Sequence, residues 1–314
     1  MIPTESIKKW ATAVGFDLCG IAPADPLPQA EQAFRAWIAR GAQGPLDYLT
    51  RHTEKRFHAA RLVERALTVI VCAVSYKSPI SAGYPPEHRA KIASYACNRD
   101  YHITIKEMLH QLLQTIREHY PTVTGRAFVD AVPLAEKSYA VAAGLGWIGR
   151  NSLLITPQYG SFVHLGELVI SDVVDTYDQP FTESRCGSCR ACIEHCPTGA
   201  IGEERMIDAR RCIACRTIER ADSSDEIDLD GWIFGCDACQ QVCPFNQHTP
   251  LHRNPAFDPL IDPRRMTAEE WLSLDEEQFQ ARFGTTPMPR AGLQRIQASI
   301  TKPKPIDNPP KKRL

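Results

Sequence analysis

A mixed α+β and α/β fold, with a small cysteine-built domain after it, is what this sequence predicts from three observations. Strand-length apolar runs alternate with helix-period segments up to about residue 175, the order from which an α/β domain is built. One run, ALTVIVCAVSY (66–76), is continuously apolar and rich in β-branched residues, as a buried strand requires. Nine of the twelve cysteines then fall within 186–243, at spacings by which bacterial ferredoxins hold [4Fe–4S] clusters. The expected division is an α/β domain over 1–175, a ferredoxin-like domain with two [4Fe–4S] clusters over 176–250, and a tail with a short helix over 251–314.

Residues 4–15 carry Ile7, Trp10, Ala11 and Val14 at helical spacing, with Thr4 as N-cap and Gly15 as stop signal. FDLCGIAPA reads as a strand ending at Pro23, and 29–40 as a helix halted by Gly41. After the strand at 66–76 and a loop over 78–90, the chain passes from a strand-like KIASY into a long helix. Ile105, Met108, Leu109, Leu112, Leu113 and Ile116 share one face of that helix. Asp100 suits its N-cap, and His102 reads most simply as structural. GRAFVDAVP is a strand broken by proline, AEKSYAVAA a helix and GLGWIGRNS a turn, with LLIT and FVHLGELVISDVV as further strands. The tail offers one helix, TAEEWLSLDEEQFQARF, capped by Thr267. The basic, proline-rich KPKPIDNPPKKRL is assigned no fold.

The 314 residues carry a net charge of −1, so no global basic field draws the chain to nucleic acid and an RNA partner needs a local patch. MIPTESIKKWATAVGF has no continuous apolar core or small-residue cleavage site, so no secretory leader is expected. No apolar run approaches the ~20 residues of a membrane span. Cys19, Cys72 and Cys97 lie scattered, as reduced thiols do, and the expected compartment is the cytoplasm.

The cysteines themselves are the strongest signal. RCGSCRACIEHCP sets three cysteines two residues apart, then Cys196 and a proline. In the ferredoxin arrangement three thiolates clamp one cluster and the fourth crosses to a second. Cys236, Cys239, Cys243 and Pro244 repeat the end of that motif with one cysteine missing. By analogy Cys243 crosses back. One set is then Cys186, Cys189, Cys192 and Cys243; the other is Cys196, Cys236 and Cys239 plus either Cys212 or Cys215. Zinc accepts paired C-x2-C units, but a triple spacing ending in Cys-Pro favours iron–sulfur, and a disulfide framework belongs to short secreted domains.

Gly144, Gly146 and Gly149 spell G-x-G-x-x-G. A dinucleotide fingerprint needs a strand before it and a helix after it, and the order here is reversed. A bend against a flat ligand or backbone is the better reading. Asp130 ends the apolar strand AFVD. It is either a turn cap or a carboxylic acid facing a pocket, able to deliver a proton if burial raises its pKa.

Together GRAFVDAVPLAEKSYAVAAGLGWIGRNSLLI, CNRDYH, GSFVHLGELVI, the three cysteine segments and FGTTPMPRAGLQR resemble the epoxyqueuosine reductases over most of the chain to about residue 295. The resemblance implies a cobalamin-dependent reductase with two [4Fe–4S] clusters acting on the wobble base of tRNA, fed by an external low-potential electron donor. It places Asp130 as general acid. It places Arg56, Tyr95, Cys97, Asp100, Tyr101, His102, Gly146, Trp147, Asn151, Ser161 and Glu167 beside cobalamin in its cob(II)alamin form, with Cys236 and Asp237 where the second cluster approaches the corrin edge. It makes Cys212 the second cluster's fourth ligand and Cys215 a spare thiol. No D-x-H-x-x-G segment is present, so cobalt is expected with an open or water-filled lower face.

Many members continue into C-terminal helical repeats, which this chain lacks, and residues 221–230 are acidic. Phosphate contacts are therefore sought at Arg185, Arg190, Arg210, Arg211, Arg216 and Arg220, and base stacking at Trp232 and Phe234. The expected state is a monomer. Two other functions share some of these features: a reductive dehalogenase-like enzyme acting on a small molecule, and a plain two-cluster electron carrier. The second leaves some 170 preceding residues unexplained.

Overall fold

The computed structural model describes residues 1–203, 205–219 and 227–301. Its strands are β1 (Leu18–Pro23), β2 (Thr68–Ser75), β3 (Lys91–Ile92), β4 (Gly125–Phe128), β5 (Trp147–Ile148), β6 (Leu154–Ile155), β7 (Val163–Ile170) and β8 (Trp232–Phe234). The helices of the first half are α1 (Thr4–Val14), α2 (Pro28–Ala39), α3 (Thr53–Arg56), α4 (Tyr101–His119) and α5 (Glu136–Ala142).

The main sheet runs β1-β2-β7-β4, and every pairing in it is antiparallel. Alternating strands and helices did not produce parallel crossovers, because element order along the chain does not fix strand direction. The carboxyl-end rule for parallel sheets therefore does not locate the site. Strand β2 is buried throughout because both sheet faces are covered. Ile70, Cys72 and Val74 pack toward α1 and α4, while Val69, Val71 and Ala73 pack toward α5, the two-residue alternation of a strand. Gly166 lets α4 approach β7, since a Cβ there would lie 2.5 Å from Ile105 Cγ2.

Asp100 caps α4 as expected, its carboxylate accepting the His102 N–H at 3.0 Å. Thr4 does not cap α1. It is the first helical residue, with Pro3 before it, and its hydroxyl donates to the Thr176 carbonyl. The GLGWIGRNS turn carries a β5–β6 hairpin, and a Cβ on Gly146 would meet the Ile155 carbonyl at 2.1 Å. That crowding explains the glycine run by backbone packing alone.

The cysteine region contributes α6 (Ala191–His195), α7 (Ile213–Ile218), α8 (Ala238–Gln241) and α9 (Pro244–Gln247). Residues 251–301 are packed rather than a tail. The single helix expected over 267–283 is two, α10 (Ala268–Leu272) and α11 (Glu276–Phe283), because Asp275 starts a second capping box with Gln278. With α12 (Leu293–Thr301) they close a core against β3 and β8, in which Trp271, Phe279, Phe283, Met288 and Ile296 meet Ile92, Ala96, Cys97 and Phe234. Among the described residues no helix is long and apolar enough to cross a membrane.

Candidate active site and cysteine groups

Strand β4 ends at Phe128, and Asp130 follows in a left-handed turn at φ 49°, uncommon for a residue with a side chain. The Asp130 N–H donates to Glu136 Oε1, at the start of α5. Tyr101, first residue of α4, donates its hydroxyl to Asp130 Oδ2 at 2.7 Å. His102 Nδ1 bonds Asp100 Oδ1 at 2.8 Å, and its Nε2 lies 3.7 Å from Asp130 Oδ2, an ion-pair distance beyond a hydrogen bond. The Tyr101 ring is stacked between His102 and His164, at 4.1 and 4.4 Å between centroids. This cage fixes both groups that touch Asp130.

The electrostatics correct one expectation. Burial pushes Asp130 up, but the His102 and Tyr101 contacts outweigh it and hold the carboxyl below its ordinary value. Asp130 is thus a carboxylate at neutral pH, with its side chain 54% exposed. His102 is raised to about 9 by its bond to Asp100 and then by the nearby Asp130 carboxylate, so it is an imidazolium there. Buried His164 is pushed down to about 3 and stays neutral. Burial, then Asp130, keeps the Tyr101 phenol protonated.

The sulfurs form two groups. Cys186, Cys189, Cys192 and Cys243 line one cavity with Arg150, Asn151 and Phe245. Cys239 is half-buried, and its thiol is pushed up first by desolvation and then by Cys236, Cys212 and Cys196. Among the described residues no three His, Cys, Asp or Glu side chains are placed for a single metal ion. Cys215 lies beside Cys212 and Glu219. Trp147 Nε1 donates to Cys186 Sγ at 3.4 Å, the kind of contact that tunes a sulfur ligand.

The second group is the one next to Asp130. Gly235, immediately before Cys236, has φ 67°, and a Cβ on it would meet Ala93 at 2.5 Å and the Tyr95 ring at 3.4 Å. The Tyr95 ring then meets Tyr101 edge-on at 6.0 Å. Contacts thus run from Tyr95, beside the backbone of Gly235 that precedes Cys236, through Tyr101 to Asp130.

Arg56, Tyr95, Asp100, Tyr101 and His102 come together around Asp130. The Arg56 carbonyl accepts the Ala135 N–H at 2.8 Å, and its guanidinium lies over Phe34 with Nε unpartnered. Other residues expected there are engaged inside the protein. Cys97 and Glu167 are fully buried; the Ser161 hydroxyl donates to Gln240 and Asp237 accepts the Ser94 N–H. Gly146 and Trp147 belong to the hairpin, and Asn151 to the first sulfur cavity.

The expected RNA contacts need correction as well. Trp232 and Phe234 are 2% and 0% exposed, so neither can stack a base. Arg216 is only 9% exposed, turned inward rather than to a phosphate, and Arg220 lies outside the described residues. Arg185 covers Phe181 and Trp147, and Arg190 pairs with Glu203. Glu136 and Arg290 were missed. Glu136 had a local signal, an acid opening the helix after the Asp130 turn. Arg290 reaches Asp130's surroundings from far along the chain, with no local signal.

A family model described as "Epoxyqueuosine reductase QueG, DUF1730" matches residues 56–131, and one described as "4Fe-4S double cluster binding domain" matches residues 185–246. An epoxyqueuosine reductase of Cyclobacterium marinum is 36% identical over 306 residues, covering 95% of each chain. That of Vibrio cholerae is 36% identical over 94% of this chain and 80% of its own. Among solved structures, an epoxyqueuosine reductase with an epoxyqueuosine-modified tRNA-Tyr stem loop superposes with a TM-score of 0.84 at 26% identity, over 94% of this chain and 79% of that one. One from Bacillus subtilis, whose catalytic aspartate loop is swung out of the active site, gives 0.82 at 25% identity over the same shares. The chain belongs to the epoxyqueuosine reductase family and is an oxidoreductase.

Proposed function

We propose that the chain reduces the epoxide of epoxyqueuosine in tRNA to give queuosine, with Asp130 delivering a proton to the departing oxygen. The observation that carries this reading is the solvent-reachable Asp130 carboxylate, bonded to Tyr101 and flanked by the His102 cation, with Tyr95 reaching from Tyr101 to the backbone before Cys236. Family membership and the tRNA stem loop in a relative's structure support the substrate.

Removing an epoxide oxygen as water consumes two electrons and two protons. His102, an imidazolium at neutral pH, holds a proton within 3.7 Å of Asp130 Oδ2. Transfer to Asp130 Oδ2 makes the carboxylic acid as the substrate oxygen takes on charge, and the same Oδ2 proton passes to that oxygen, with solvent supplying the second proton.

Cys186, Cys189, Cys192 and Cys243 would hold one [4Fe–4S] cluster, and Cys196, Cys212, Cys236 and Cys239 the other. Arg56, with its unpartnered Nε, and the Tyr95–His102 face fit a large polar macrocycle beside Asp130, so these residues would hold cobalamin. When bound, cobalamin supplies the electrons to the epoxide-bearing ring. On this reading residues 1–175 hold cofactor and substrate, 176–250 carry electrons inward, and an external low-potential donor fills the clusters. Asp130→Asn tests the assignment. Nucleoside analysis of tRNA should show epoxyqueuosine accumulating while iron content and corrinoid uptake stay as in the parent. Queuosine formation at the parent rate would overturn it.

A further inference from the structure

Behind the Asp130 turn lie two carboxyl groups that the proton-delivery reading does not use. Glu136 Oε1 accepts the Asp130 N–H, and that N–H belongs to a residue in the left-handed region, where a side chain persists only if its surroundings hold it. Glu167 lies on β7, paired across the sheet with Val71 and Phe128, and is 0% exposed. Neither of its carboxyl oxygens has a hydrogen-bond donor of ordinary geometry among the described residues, and its carboxyl faces that of Glu136. With Glu167 fully buried, the two adjoining carboxyls cannot both ionise. A single proton between them satisfies both, with Glu167 donating to Glu136 and Glu136 accepting from the Asp130 backbone.

We propose that Glu136 and Glu167 form a proton-sharing carboxyl pair that anchors the Asp130 turn, with Glu136 as a positioning residue for the proton-delivering carboxylate. The proposal rests on the reading of Asp130 as proton donor. The groups facing the pair are Asp130 on the turn, Tyr101 and His102 on α4, Arg56 on α3, Cys72 on β2 and Lys137 beside Glu136. Burial first, and then the Asp130 charge, push Glu136 up to about 7. Glu167 is pushed well above its ordinary value, first by burial and then by Glu136, so above about pH 7 the pair holds one proton, on Glu167, with Glu136 as its acceptor.

Three variants test this in the reconstituted enzyme, with Asp130→Asn beside them. Glu136→Ala should lower kcat by about tenfold or more while KM for the tRNA stem loop changes less than about twofold, since it misplaces the donor without touching RNA. Glu136→Gln keeps an acceptor but cannot ionise. It should recover most of that loss. Glu167→Gln should remove the part of the thermal stability that declines as pH rises above 4.5, where the folded chain keeps on Glu167 a proton that the unfolded chain has released. Parental kcat in Glu136→Ala overturns the positioning role, and an unchanged pH–stability slope in Glu167→Gln overturns the shared proton. If Asp130→Asn is as active as the parent, the donor reading itself has failed. An inactive Asp130→Asn with a fully active Glu136→Ala refutes only the anchor.

Discussion

Replacing His102 with glutamine removes the cation that stands between Asp100 and Asp130. The imidazole ordinarily titrates at 6.5 and here at about 9, chiefly through its bond to Asp100. Because the folded value is the higher one, the interaction stabilises fully below pH 6.5 and is lost as pH rises through about 9. At 1.36 kcal/mol per pH unit the ceiling is roughly 3 kcal/mol. The His102 side chain is 29% exposed, and solvent screening reduces the expected effect to about 1–2 kcal/mol. At roughly 2–4 °C per kcal/mol for chains of this size, anaerobic melts should place His102→Gln several degrees below the parent at pH 6. The gap should close by pH 10. A gap of equal size at both pH values would mean that stacking on Tyr101, not charge, holds His102 in place, and the electrostatic reasoning would be refuted.

Other consequences follow from the same structure. Asp130→Asn should cut turnover by about 10²–10⁴, the usual range for a lost general acid, as read by tRNA nucleoside analysis at fixed iron content. Cys212→Ser should lose about half of the iron and the EPR signal of one cluster, whereas Cys215→Ser should retain about eight irons per chain. Tyr101→Phe deletes the 2.7 Å bond to Asp130, and the Asp130 carboxyl, followed by NMR or by the acid limb of the rate profile, should titrate at higher pH. Trp271 is fully buried and stacked on Phe283 at 4.7 Å, so Trp271→Ala should cost about 3–5 kcal/mol in a denaturant titration; a cost below about 1 kcal/mol would mean that the C-terminal helices do not share the core.

The cysteine groups were legible because ferredoxin-type ligands sit at short, fixed spacings in the chain. Even so, spacing left Cys212 and Cys215 equivalent, and the choice of Cys212 came from the family resemblance; the structure sets Cys212 among the groups that act on the Cys239 thiol. The α4 helix and its Asp100 cap were legible for the same reason: capping and a 3.6-residue period are local. Strand direction was not, and neither was the burial of Trp232 and Phe234, since each depends on segments distant in sequence.

Asp130 shows where that boundary falls. Sequence alone marked it as an acid at a strand end, either a turn cap or a proton donor on condition that burial raised its pKa. Tyr101 and His102 stand 29 and 28 positions away, brought alongside by the antiparallel sheet and the start of α4. Their contacts reverse the direction of the shift, and Glu136 holds the backbone from which the carboxylate projects. Residue type and short spacing determined which chemistry was present. Proximity between distant segments decided which group holds the proton, because charge interactions depend on distance in space and on burial.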